Sequence, residues 1–299
     1  MVPSAAAATT TATATATDHE PMDPNMTTNV SGSITFRLIL ISFIGILAIW
    51  ANHEASKGFN ITVVNDAGKH SLARKRFSLF YESNDKATQI VLNTSRFVEN
   101  LLYPNDQEFL NSKKPINHVI LRLAPTNIPA MVVVDSNSQE PHEYIISLSP
   151  SLLMKTSKNN EAIVLAVLHG MARMWLWDDG KGATPAVLLN GMVEYISSLA
   201  GFTVTQVWKS GVHTPENNEI CWKDRDPRRV AGFLRYCDQS KQGGGGGGDG
   251  EVIRRLNRRM SNNSSWDDWM MDDALGMAGH HACASYDKMM RQLHLSSSM

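Results

Sequence analysis

Residues 160–177 read NEAIVLAVLHGMARMWLW, a run that is apolar almost all round. A helix with one apolar stripe lies on a surface, whereas a helix apolar on every side has to be surrounded by protein. The stretch from about Asn160 to Trp177 is therefore predicted to be the central helix of a core. Asp178-Asp179-Gly180-Lys181-Gly182 breaks it, and a second helix follows from Pro185 to Ala200. Thr184 reads as its N-cap, Pro185 as its first helical residue and Gly201 as its stop.

Upstream of this pair the pattern changes from helical spacing to short β-branched runs. Asn60 to Val64 is predicted to be a strand, closed by the turn Asn65-Asp66-Ala67-Gly68. Between Lys86 and Leu102, residues Ile90, Val91, Phe97, Val98, Leu101 and Leu102 recur at helical spacing and predict an amphipathic helix. Three further strand-like runs, His118–Leu123, Ala130–Val134 and Glu143–Leu148, are separated by Pro, Asn, Asp and Ser clusters. Downstream, helices are predicted over Arg228–Asp238, over Asp249–Met260 and from Ser265 to about Leu293. A six-glycine connector, Gly243 to Gly248, interrupts them.

The N-terminal end has another character. Residues 1–33 are Ala/Thr-rich, show no apolar periodicity and cannot bury enough surface to offset chain entropy, so they read as a disordered tail. A transit peptide would carry arginines and avoid acids, and the reverse holds here. Leu38 to Ala51 is an uninterrupted apolar run of 14 residues, or 18 when counted from Ile34 with Arg37 snorkelling. The first 36 residues contain no Lys or Arg, and the small-residue positions near Ala51 and Ala55 make a poor cleavage site. Residues 34–51 thus fit an uncleaved signal anchor better than a cleaved signal, with a buried core helix as the bland alternative. Arg37 argues for a cytoplasmic N-terminus, while Lys57, Lys69 and Arg74-Lys75-Arg76 argue the other way. Asn60, Asn93, Asn262 and Asn263 stand in glycosylation acceptor sequences, tripeptides that also arise by chance.

Composition bounds the partners. The formal net charge is −1, hydrophobic residues make up 42% and charged residues 19%, which excludes wholesale disorder. A nucleic-acid binder would want a basic face, and a pI near 6.8 speaks against one. Cys221, Cys237 and Cys283 allow one internal bridge at most, match no zinc-ribbon spacing and leave the compartment open.

Strands followed by a core helix, a short loop and a second capped helix are the order found in zinc peptidases of the His-Glu-x-x-His class. There, two histidines four apart on one helix face bind zinc, the Glu between them activates the zinc-bound water, and a later helix supplies a third ligand. Val167-Leu168-His169-Gly170-Met171-Ala172-Arg173-Met174-Trp175-Leu176-Trp177 and Leu188-Leu189-Asn190-Gly191-Met192-Val193-Glu194-Tyr195 resemble the two helices of the plant basic secretory protein family, metallopeptidase-like proteins of plants and bacteria. Val230-Ala231-Gly232-Phe233-Leu234-Arg235-Tyr236-Cys237 and Leu256-Asn257-Arg258-Arg259-Met260 are similar to two further blocks of that family, in the same order. The resemblance spans roughly Asn60 to Leu293 and implies an α+β, zincin-like domain with a small N-terminal mixed sheet and a helical C-terminal half.

The same resemblance implies that the chemistry has changed. His169 stands at the first zinc ligand, Gly170 at the general-base Glu, Arg173 at the second histidine, Asn190 at the third ligand, and Glu194 at the family's Asp. Arginine offers donors and no acceptor and repels a dication. One histidine, His169, is the surviving candidate for the metal, and no cofactor is expected.

Each of these residues also has a bland reading. A lone His on a core helix is more often hydrogen-bonded than metal-bound, and Trp175 and Trp177 are more often packing than substrate platform. An Arg173–Glu194 ion pair is expected to tie the two helices in the metal's place. His280-His281 with Cys283 lacks the second half that a metal site needs.

The chain is thus read as a tail (1–33), an anchor (34–51) and a domain (52–299) with a Gly-rich insert at 243–250. Its favoured function is a catalytically inert binding or scaffold protein for a peptide or protein ligand, in a defence-related setting that the resemblance alone implies. The alternative is a hydrolase or metallopeptidase with a site remodelled around His169 and Glu194, assisted by Asp178 or Asp179, and with zinc as its cofactor.

Overall fold

Alternation along His118–Leu123 sends Val119, Leu121 and Leu123 to one side, where each is buried, and leaves His118, Ile120 and Arg122 partly exposed on the other. This strand, β2, is one of the two inner members of a four-stranded sheet. The computed structural model describes residues 38–45, 58–104, 113–137, 139–154, 159–178, 184–202, 220–242, 249–262 and 265–297. The sheet runs β1 (Asn60–Asn65), β2, β4 (Glu143–Leu148), β3 (Val132–Ser136). The first three strands are parallel, with Asn60 opposite His118 and His118 opposite Glu143; β3 lies antiparallel on β4 as an edge, with Val132 opposite Leu148. Parallel neighbours need crossovers. A short helix α1 (Leu72–Phe77), a turn of π-helix (Ser78–Glu82) and α2 (Lys86–Leu102) connect β1 to β2.

The central helix α3 covers Asn159–Trp175 and packs between α2, strands β3 and β4, and the following helix α4 (Ala186–Leu199). Ala166, Val167, Met171, Ala172, Met174 and Leu176 are fully buried there, as an all-round apolar helix requires. Helices α5 (Pro227–Gln242), α6 (Glu251–Asn262), α7 (Trp269–Leu275) and α8 (Gly279–Ser297) complete the C-terminal half. The fold class is α+β, as the resemblance implied.

Several boundaries differ from the sequence reading. The capping position of α4 is Pro185, with ψ at 124° and no side-chain hydrogen bond, and Thr184 is buried instead of capping. At the other end Gly201, at φ +85°, does close the helix, and Phe202 N–H returns to the Ser197 carbonyl. The last helical stretch is two helices because Gly276 turns left-handed at φ +65°. The third strand-like run begins at Val132 and not Ala130. Nothing in the spacing announced α1 or the π turn.

The chain divides into two compact units, Met1–Ser56 and Lys57–Met299. In the first, residues 38–45 are helical and exposed, and the rest of the anchor segment 34–51 lies outside the described residues, as do the tail and the glycine connector. Among the described residues no helix is long and apolar enough to cross a membrane.

Candidate functional site

His169 and Arg173 are one turn apart on α3, and α4 brings Asn190 beside Arg173. Arg173 Nη1 donates to Asn190 Oδ1 at 3.1 Å, and Nη2 reaches Asp178 Oδ2 at 3.4 Å. The guanidinium is about one-third exposed, so the extreme burial expected from the apolar helix does not hold. The expected ion pair with Glu194 is absent among the described residues. Glu194 stands one turn beyond Asn190, half-buried, and the charges acting on it are Arg228 and Asp226. Burial raises its carboxyl above the usual range, and Arg228 partly offsets this. The physical reason for the correction is reach: the loop directly after α3 offers Asp178 and the near turn of α4 offers Asn190, so the guanidinium is served before Glu194.

His169 is held neutral, its pKa pushed down to about 4 by burial. Its Nε2 is shielded from water and has no hydrogen-bond partner among the described residues. Gly170 faces the sheet. A Cβ there would lie 2.6 Å from Ile146 Cγ2 and 3.4 Å from Val132 Cγ2. A glutamate at this position would have to displace the branched, fully buried Ile146, so α3 and β4 are packed together where a general base would stand.

Among the described residues, those at the positions where the resemblance puts the metal ligands do not fit a catalytic zinc. One imidazole, one guanidinium and one amide already engaged by that guanidinium replace the three lone-pair donors such a centre needs. Among the described residues, three potential metal ligands converge at Cys221, Cys283 and Asp287, but the two cysteines form a disulfide. That bridge also removes Cys283 from the His280-His281 cluster, whose ring centres lie 4.2 Å apart, tilted by 37°, on the surface. Trp175 is a core residue, donating Nε1 to Ser95 Oγ, and Trp177 is half-buried. Asp179 lies outside the described residues.

The C-terminal end of α3 carries a polar collar that the sequence reading missed. Lys114 Nζ donates to the Met174 and Leu176 carbonyls at 2.8 and 2.9 Å, and Tyr103 Oη donates to the Trp175 carbonyl. Asn257 on α6 accepts from Trp177 N–H and donates to Tyr103 Oη. These groups satisfy carbonyls that a helix end leaves orphaned. Burial pushes Lys114 down to about 8, against the pull of Asp178, while its ammonium lies 5.0 Å from the Tyr144 ring centre. Asn257 had a visible signal, a polar residue among Val252, Ile253, Leu256 and Met260 on the buried face of α6; Lys114 had none.

A core helix laid along a mixed sheet with an antiparallel edge strand, and a second helix presenting Asn190 to its Arg173, form the frame of a domain that the family comparison makes peptidase-like. The chain belongs to the BSP family, peptidases of plants and bacteria, whose family model matches residues 56–286. Neither the curated proteins nor the solved structures supply a match.

Proposed function

We propose that this chain is a catalytically inert member of its peptidase family that binds a peptide or protein ligand in the inherited cleft. The observation that carries the reading is the Arg173–Asn190 hydrogen bond, in which a permanent cation joins the two positions where the resemblance puts the second and third metal ligands. Strand β3 supports a peptide ligand, since its outer edge has no neighbouring strand among the described residues and an extended chain can add there. The Cys221–Cys283 disulfide favours an oxidising compartment, in keeping with a secreted domain or one displayed outside the membrane by residues 34–51.

The remodelled hydrolase has one observation in its favour, the raised carboxyl of half-buried Glu194. One experiment separates the two. Purified full-length protein is equilibrated with excess zinc, desalted and assayed for metal by mass spectrometry and for hydrolysis of casein. We expect zinc far below one per chain and no hydrolysis above buffer. Near-equimolar zinc, or hydrolysis, that His169→Ala removes would overturn the reading.

A further inference from the structure

We propose that Arg173 and Asn190 form a recognition site for a carboxylate, built from a guanidinium and an amide hydrogen-bonded across two helices. The inference rests on the binding reading above and names the chemistry of the ligand. Arginine carries a planar fork of N–H donors matched to a carboxylate. Among the described residues Arg173 engages Asn190 Oδ1 through Nη1 and Asp178 through a long contact from Nη2, which leaves N–H groups over on a side chain open to solvent. Because Asn190 spends its oxygen on Arg173, its exposed amide presents its NH2 group, a second donor.

Charge selects among anions. Arg173 and Lys114 are two cations, and Asp178 is their shared counter-charge. Counted over these three described groups the balance is one positive charge, which suits a singly charged carboxylate better than a phosphate dianion. The collar that fixes the end of α3 through Lys114, Tyr103 and Asn257 holds the Arg173 turn in place, so the fork is preorganised. The carboxylate can come from the C-terminus of a peptide or from an Asp or Glu side chain.

The test uses full-length protein and a pool of N-acetylated octapeptides made as C-terminal acids and as C-terminal amides, with a third pool of amides carrying one internal Glu. Acids are expected to bind about tenfold or more tightly than neutral amides. The third pool shows whether a side-chain carboxylate serves as well. Arg173→Met should erase the preference with an unchanged melting temperature, and Arg173→Lys should keep part of it. In protein labelled with 15N-arginine, sodium acetate alone should shift the Arg173 Nε–H resonance, assigned by its loss in Arg173→Met. Equal binding of acids and amides by the wild type overturns the carboxylate site and leaves the peptide reading standing. An acetate shift without binding of any pool supports the carboxylate site and overturns the peptide reading. Absence of both, or a preference that survives Arg173→Met, overturns the proposal.

Discussion

A lysine buried to 7% exposure needs its charge answered, and at Lys114 two effects compete. Burial disfavours the ammonium, while Asp178 and the carbonyl end of α3 favour it; the former prevails and brings the group down to about 8. The neutral amine still has two N–H groups for the Met174 and Leu176 carbonyls, so losing the proton need not break the collar. Since the folded value lies below the unfolded value of about 10.4, the unfolded chain holds a proton that the folded chain lacks between those limits, and stability rises with pH there. Urea unfolding at pH 7 and at pH 10 should show wild type gaining on Lys114→Met by up to roughly 3 kcal/mol. A gap that does not change with pH would mean that Lys114 stays charged throughout. Replacement by Met at neutral pH exposes a second effect, because two orphaned carbonyls cost about 1–3 kcal/mol each.

Helix α6 follows Gly250, which has no side chain to cap with, and the preceding helix supplies a carboxylate. Asp238 on α5, 3% exposed, accepts from Gly250 N–H at 2.9 Å, from Val252 N–H at 2.8 Å and from Tyr195 Oη. A carboxylate at a helix N-terminus satisfies orphan donors and complements the helix dipole. It also lets the chain between α5 and α6 be glycine-rich, because the register of α6 is set by Asp238 and by Gly250, which takes φ +84° against Leu101. Asp238→Ala should lower unfolding stability by about 2–4 kcal/mol, the cap plus a buried hydroxyl left unpaired, with Asp238→Asn intermediate. Denaturant midpoints of the two variants within error of wild type would show that α6 is positioned by packing alone.

Across the molecule, the C-terminal half is closed by Cys221–Cys283, joined over a sequence separation of 62 with a Cα separation of 5.6 Å. The loop it closes contains α5, α6 and α7 together with the glycine connector, so the unfolded chain has much freedom for the bridge to remove. The chain-entropy relation gives about 4 kcal/mol for a loop of this length. Reduction, verified by titration of three thiols per chain, should lower the melting temperature by roughly 10 °C. An unchanged melting temperature in the reduced protein would assign the hold on α8 to packing, where Tyr286 lies against Phe233 and Tyr236 and Gly279 meets the Trp222 ring.

Periodicity and punctuation along the chain were enough for the central position of α3, the Gly201 stop and the places of three of the four strands, because each depends on neighbours in sequence. The resemblance at 167–177 and 188–195 likewise located the two helices of the site, and a family match over residues 56–286 agrees with it. Partner choice was another matter. Arg173 takes Asn190 and Asp178 in place of Glu194, Gly170 proves to be the point where α3 meets Ile146, and Lys114, Tyr103 and Asn257 gather from three distant segments at one helix end. Cys283 likewise pairs with Cys221 and leaves Cys237 as a buried thiol. Such choices turn on which groups come within about 3 Å of one another once helices cross a sheet. That distance is a property of the packed chain, and no local pattern of residues encodes it.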